Sequence, residues 1–331
     1  MAQVLITGGA GFIGGFVAQA LLRAGHSVSL VDNLARGRRD RFLTELLATP
    51  QAVLLERDLT RAGALDDLPG GHTHVFHFAA LLGVQNVSER PYPTLRDNVA
   101  LLQTVLDWAA RQTALERLVF ASTSEVYAGS VELGMLPIPT PEDVPLALTA
   151  LSQPRTSYML SKLYGEALVR HSGLPYTIVR PHNVYGPRMG RAHVIPQLLE
   201  RAHRGADGGV LEVFSVDHSR TFCFIDDAVE MLVRAAFSDS CRNEVLNVGR
   251  QSPEITVGEL AREVLRVTGR QLRIVPQPAT AGSPRRRCPD MSRTQARTGF
   301  SAQVSLAEGL SRTYDWYRRA VFAGGETDVA L

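Results

Sequence analysis

The stretch VLITGGAGFIGG at residues 4–15 limits what this chain can fold into more than any other. A short apolar run enters it, Gly8, Gly11 and Gly14 punctuate it, and a helix-like run leaves it. If the turn between strand and helix is tight, side chains are excluded at those three points. The backbone can then come close to an anionic group, the helix packs near the strand, and the helix N-terminus faces the anion. A lone glycine pattern is weak evidence, so its context decides.

That context repeats along the first half of the chain. QVLITG at 3–8, SVSLVD at 27–32, AVLLERD at 52–58, HVFHFAA at 74–80, RLVFAS at 117–122 and YTIVRP at 176–181 read as strands. Helix-like segments lie between them, clearest at about 12–24, 93–111 and 155–171. Regular alternation implies a parallel sheet covered by helices on both faces, an α/β doubly wound (Rossmann) fold. The strands are nearly all apolar, as burial of both faces requires. The second half is less regular. IDDAVEMLVRAA at 225–236 is helical by its spacing and EVLNVG at 244–249 strand-like; capping boxes at Thr256/Glu259 and Ser305/Glu308 announce two more helices. The expected division is a dinucleotide-binding domain over 1–180, to which 225–250 returns, and a smaller C-terminal α+β substrate lobe over 181–331. Residues 129–155, rich in proline, form a loop long enough to suggest a functional role.

Composition closes off several classes. With 45% hydrophobic and 21% charged residues over 331 positions the chain is an ordinary globular protein, and a net charge of +2 gives no basic excess for nucleic acid. PRRRCP at 284–289 is the one dense basic patch. Cys223, Cys241 and Cys288 are odd in number and lack metal-ligand spacing, so free thiols in a reducing compartment are expected. His72, His74 and His77 are joined by no carboxylate, and no metal is expected. The N-terminus carries no export-signal pattern and no window is apolar enough to span a bilayer, which points to a cytoplasmic protein without membrane contact.

Asp32 ends the second strand about twenty residues after the glycines, where a carboxylate can accept both ribose hydroxyls of a dinucleotide and would repel a 2′-phosphate. NAD is therefore the expected cofactor, although Arg36, Arg38 and Arg39 lie nearby. Asp58, at the end of the third strand, could bind the adenine amino group or simply cap the next helix. Phe12, Ile13, Asn33 and Leu59 flank these positions and complete the candidate cofactor set. After the long loop comes SYMLSKLYGEALVRH, in which Tyr158 and Lys162 are four apart and share a helix face. A free tyrosine has a pKa near ~10. A fixed ammonium beside the positive charge of a nicotinamide would favour the phenolate and let Tyr158 act as a base.

Taken together, TGGAGFIG, VDNL, RDL, HFAA at 77–80, STSEVY at 122–127, Tyr158 with Lys162, and RPHNVYGPR at 180–188 resemble the extended short-chain dehydrogenase/reductase family. The resemblance covers nearly the whole chain and is to its branch of nucleotide-sugar epimerases, dehydratases and decarboxylases. It implies that Tyr158 removes the sugar 4-hydroxyl proton, that Lys162 holds the nicotinamide ribose, and that Thr123 hydrogen-bonds the same sugar oxygen. Hydride passes to NAD and is later returned, through a 4-keto sugar. It further implies that Asn183 and Arg220 contact the diphosphate, that Arg287 helps close the substrate pocket, and that the enzyme pairs as a homodimer.

Glu125, within ASTSEVYAG, bears on which reaction the site performs. A run of serine and threonine is most simply a capped turn, and the carboxylate could be structural. A 4-epimerase has no need of another base, whereas a carboxylate beside a 4-ketone can remove the C5 proton. The arrangement resembles the 4,6-dehydratases, which often carry Asp in place of Ser124, and the uronic acid decarboxylases. TSEVY, GPRM, RTFCFIDD and RCPDM lean to the decarboxylases, and QPRTSYMLSK departs from them. Thr123, Ser124, Glu125, Tyr158 and Lys162 form the candidate catalytic set. A 4-epimerase and a non-catalytic NAD-binding regulator remain as alternatives.

Overall fold

The computed structural model describes residues 1–280 and 282–323. Seven parallel strands form its centre: β1 Gln3–Thr7, β2 Ser27–Asp32, β3 Ala52–Glu56, β4 His74–His77, β5 Arg117–Ala121, β6 Tyr176–Pro181 and β7 Glu244–Val248. Their order across the sheet is β7-β6-β5-β4-β1-β2-β3. All six runs read from the first half of the sequence are strands, and the sheet is doubly wound.

Burial explains which runs became central. Every residue of β4 and β5 is buried, so both faces are covered. β3 is the exception, because it lies at an edge, and Val53 there is 46% exposed. One face carries the helices Phe12–Arg23 and Ile225–Phe237, which pack on each other, and its core runs on to Leu211, Leu260 and Leu310. The other face carries Pro91–Ala109 and Pro154–His171, packed together over Leu118, Phe120 and Ile178.

The chain winds outward through β2 and β3, then crosses back to β4 on the far side of β1. Loops at the carboxyl ends of β1 and β4 consequently diverge and leave a crevice, the place where open α/β sheets bind ligands. Beside this sheet lie a parallel pair, Val210–Phe214 with Arg273–Gln277, and the three-stranded ribbon Ile255–Thr256, Ser219–Arg220 and Arg286–Arg287. Thr256 and Glu259 form the reciprocal cap of the helix Val257–Thr268, and the Ser305 hydroxyl accepts the Glu308 N–H at 3.2 Å. The long loop contains one short helix, Ala128–Glu132, then runs on without regular structure. Thr140 ties it to the segment after Arg287, donating its N–H to the Cys288 carbonyl and accepting the Asp290 N–H, both at 2.9 Å. None of the described helices is long and apolar enough to cross a membrane.

Candidate active site

A cleft of about 570 Å³ opens over the carboxyl ends of β1 to β6, a volume suited to a small-molecule site. Gly8, Gly11, Phe12, Ile13 and Gly14 line it from β1, Asp32 and Asn33 from β2, Asp58 and Leu59 from β3. Gly8 has φ +68°, and a Cβ there would stand 2.8 Å from the Ala79 backbone nitrogen; a Cβ on Gly14 would run into the Gly8 carbonyl oxygen. Only bare backbone fits, and the first turn of the helix Phe12–Arg23 offers its N–H groups to the cleft. The Asp32 carboxylate accepts the Ala10 N–H at 3.1 Å on one oxygen and the Leu34 N–H at 2.9 Å on the other. Each oxygen keeps a lone pair for a ribose hydroxyl. Burial pushes this carboxyl above its usual range, partly offset by those two N–H groups and Arg36. These features fit a dinucleotide.

Two other positions have local partners. Asp58 folds back on its own turn, accepting the Thr60 N–H at 3.0 Å and hydroxyl at 2.7 Å, while still facing the cleft. Asn33 accepts the Ala35 N–H at 3.0 Å. Arg36 reaches further in than its sequence neighbours suggest: it feels the charges of Asp32 and Tyr158, and its Nε is buried without a hydrogen-bond partner.

The reactive groups converge from β5 and the helix Pro154–His171. Thr123 caps the short turn Ser124–Tyr127, its hydroxyl accepting the Glu125 N–H at 3.2 Å, so the capped turn is present. The same threonine side chain hydrogen-bonds the Tyr158 phenol. Burial and the charge of Glu125 push that phenol up to about 12, with Thr123 and Arg36 pulling the other way. Lys162 stands close by. Its buried ammonium donates to the Ala121 carbonyl at 2.7 Å and stands 5.9 Å from the Tyr158 ring, and burial lowers its own pKa to about 8. The ammonium is aimed at a backbone carbonyl, and burial acts against charge on the phenol.

Glu125 also faces the cleft, and both of its oxygens are engaged. Arg287 Nη2 donates to Oε1 at 2.8 Å and Arg155 Nη2 to Oε2 at 3.1 Å. Burial alone would raise this carboxyl, but the two guanidinium groups more than offset it and hold it below the usual range. The second donor of Arg287, Nη1, reaches the Ser124 hydroxyl at 3.3 Å. The ribbon sets this geometry: successive side chains on a strand point to opposite sides, so Arg286 turns out to Glu254 and Arg287 turns in. Arg220 lies alongside Arg287 in that ribbon, and its guanidinium is turned to Ser283 and the Pro284 carbonyl rather than into the main cleft. Burial and the Arg287 charge lower its pKa to about 10. Asn183 lines the cleft, its amide donating to the Thr221 carbonyl at 2.9 Å.

Sequence reading missed several members of this arrangement. Arg155 could have been found, because 155, 158 and 162 share one helix face. Arg188 closes the RPHNVYGPR run, but nothing local showed its partners. It is buried, donates to Asp40 at 2.6 Å and to the Ala10 and Gly11 carbonyls at 3.3 and 3.4 Å, and so braces the glycine turn from beyond β6. Beneath the Ser124–Tyr127 turn, Arg180 and Glu166 form a buried pair, joined by the Ser122 and Tyr127 hydroxyls. The three histidines are absorbed in packing or hydrogen bonds: His72 against Trp108, His74 against Phe237, His77 on the Thr7 hydroxyl. Among the described residues no three His, Cys, Asp or Glu side chains are grouped to hold a metal.

Comparison with known proteins agrees with this architecture. The model of the NAD dependent epimerase/dehydratase family matches residues 4–249. A UDP-N-acetyl-alpha-D-glucosaminuronate decarboxylase of Bacillus cytotoxicus is 32% identical over 96% of this chain and 98% of its own length. A dTDP-glucose 4,6-dehydratase of Streptomyces niveus is 29% identical over 96% of this chain and 93% of its own. Among solved structures, UDP-glucose 4-epimerase of Thermotoga maritima with UDP-glucose superimposes with a TM-score of 0.83 at 28% identity, covering 96% and 99% of the two chains. A glycine cradle that admits only backbone, a carboxylate placed for a ribose, and likeness over nearly the full length together make this chain an NAD-dependent enzyme belonging to the NAD dependent epimerase/dehydratase family.

Proposed function

We propose that the enzyme removes carbon dioxide from a nucleoside-diphosphate uronic acid through a 4-keto intermediate. The observation that carries this reading is the state of Glu125. Arg155 and Arg287 each donate to one of its oxygens and hold its pKa below the usual range, so it is a weak base for a C5 proton. The same cluster sets two guanidinium groups against one carboxylate, which suits an acidic sugar better than a neutral one. The similarity to a uronate decarboxylase supports the same choice.

In this reading Tyr158 takes the proton of the sugar 4-hydroxyl, with Thr123 holding the same oxygen. Lys162, anchored on Ala121, fixes the floor beneath them. NAD supplies the acceptor for the C4 hydrogen and, while oxidised, a positive charge that favours the phenolate. Once C4 is a ketone, the C6 carboxylate is β to it. The C5–C6 bond then breaks, its electron pair moves toward the C4 oxygen, carbon dioxide leaves, C5 takes a proton from water, and return of the hydride to C4 with the proton held by Tyr158 to its oxygen closes the cycle. No strong base is needed for that loss. Ser124 and Arg287 are placed to hold the departing carboxylate, and Glu125 orients Arg287. Asn183 and Arg220 are proposed for the diphosphate; the present hydrogen bonds of Arg220 to the 283–284 segment would have to be exchanged.

The test is mass spectrometry of products after incubation with UDP-, dTDP-, GDP- and CDP-sugars. Loss of carbon dioxide from a uronic acid is expected. Loss of water from a neutral hexose, or an epimer of unchanged mass, would replace this reading. Glu125→Gln separates them again: as a positioning change it should cost less than the ~10²-fold that removal of a general base brings. In a dehydratase it would instead stall the step after oxidation and let reduced cofactor accumulate.

A homodimer is also proposed. The helices Pro91–Ala109 and Pro154–His171 pack side by side and carry Tyr92 and Tyr164, which are 70% and 47% exposed. Sedimentation at micromolar concentration should give a dimer, with Tyr164→Arg shifting it toward monomer. A monomeric unaltered protein would end that idea. The three buried free thiols fit a reducing compartment, and the proposed location is the cytoplasm.

A further inference from the structure

Arg155 occupies the second position of the helix Pro154–His171, where the N–H groups of the first turn disfavour a cation. Helix stability does not account for it. Its Nη1 donates to the Gly282 carbonyl at 3.2 Å and its Nη2 to Glu125 Oε2 at 3.1 Å. Arg287 meets Glu125 through one donor only, Nη2 on Oε1 at 2.8 Å, and its Nη1 lies on the Ser124 hydroxyl at 3.3 Å. An arginine facing a free carboxylate prefers the closed bidentate pair, with both donors on the two oxygens. Here Arg155 and Arg287 share the carboxylate instead, one oxygen each.

We propose that Arg155 is the positioning residue that makes this site select an acidic sugar: by holding half of Glu125 it keeps one arm of Arg287 open for the substrate carboxylate. The inference rests on the uronic acid reading above. With Arg155 present, two guanidinium groups bond one carboxylate, and Arg220 lies alongside Arg287. Without Arg155 the cluster loses one positive charge and Glu125 its second partner, so the advantage of a uronate over a neutral hexose falls.

The experiment is calorimetric binding of UDP-glucuronate and of UDP-glucose to the full-length protein, to Arg155→Met and to Arg155→Lys. The unaltered protein should favour the uronate. In Arg155→Met that preference should fall by about tenfold or more, the loss one charge-assisted contact brings, through weaker uronate binding. Arg155→Lys keeps the charge without the planar fork and should recover part of it. Loss of one flanking cation also lets the Glu125 pKa rise, so the acid limb of uronate binding should move to higher pH in Arg155→Met. The side chain of Arg155 is 31% exposed, so both variants should fold, and a thermal melt checks this. An unaltered protein with no preference, or a folded Arg155→Met that keeps it, overturns the inference. A preference without release of carbon dioxide would overturn the decarboxylase reading alone.

Discussion

Tyr158→Phe should lower turnover by ~10²- to 10⁴-fold, the usual contribution of a general base, while leaving substrate binding nearly intact. Only the hydroxyl is lost, and the ring keeps its place in the half-buried floor of the cleft. The pH profile gives an independent reading. Burial and Glu125 hold the phenol up to about 12, so at neutral pH most of it carries its proton. Any influence that lowers this value has much to gain, and the rate of the unaltered enzyme should climb with pH through the neutral range. In Tyr158→Phe that slope should vanish. Single-turnover absorbance of the reduced cofactor measures both effects, and turnover close to the unaltered rate would show that another group takes the proton.

Arg180→Met should cost ~3–5 kcal/mol of stability, because it strands the Glu166 carboxylate in the interior. Both side chains are almost fully buried, and Arg180 donates to Glu166 at 2.9 and 2.7 Å, to the Tyr127 hydroxyl at 2.8 Å and to the Glu142 carbonyl at 3.0 Å. Burial alone would lower the guanidinium pKa; Glu166 and Tyr127 raise it above its ordinary value. The pair carries the turn on which Thr123, Ser124 and Glu125 sit, so lost stability and lost activity should appear together. Replacing both partners with apolar residues should recover much of the loss, since no charge is then left unpaired. Urea unfolding measures each variant. A loss under about 1 kcal/mol in Arg180→Met, the size of a surface pair, would mean that water reaches Glu166.

Local physics made the frame legible. β-branched runs bounded by turn residues became β1 to β6, and the glycines at 8, 11 and 14 fell at the junction of β1 and the first helix, where a Cβ on Gly8 or Gly14 would strike backbone. Thr256 and Glu259 capped their helix because both partners lie within one turn. The family resemblance placed Tyr158, Lys162, Thr123 and Glu125 as candidates, and all four line a single cleft. Each of these readings depends on residues close in sequence, or on a motif whose spacing is fixed by one turn of backbone.

The surroundings of those side chains were decided only by the tertiary structure. Glu125 meets Arg155 across 30 positions and Arg287 across 162, and Arg188 reaches Asp40 across 148. No local rule links such residues. The ionisation of a buried group depends on every charge and dipole around it: burial and Glu125 raise the Tyr158 phenol, and two cations lower the Glu125 carboxyl. The sequence by itself determined the sheet and the glycine cradle, because backbone sterics and hydrophobic period act over a few residues, and its family resemblance supplied the candidate reactive groups. The fold alone decided which charges those groups face, because electrostatic energy depends on distance through space and not on separation along the chain.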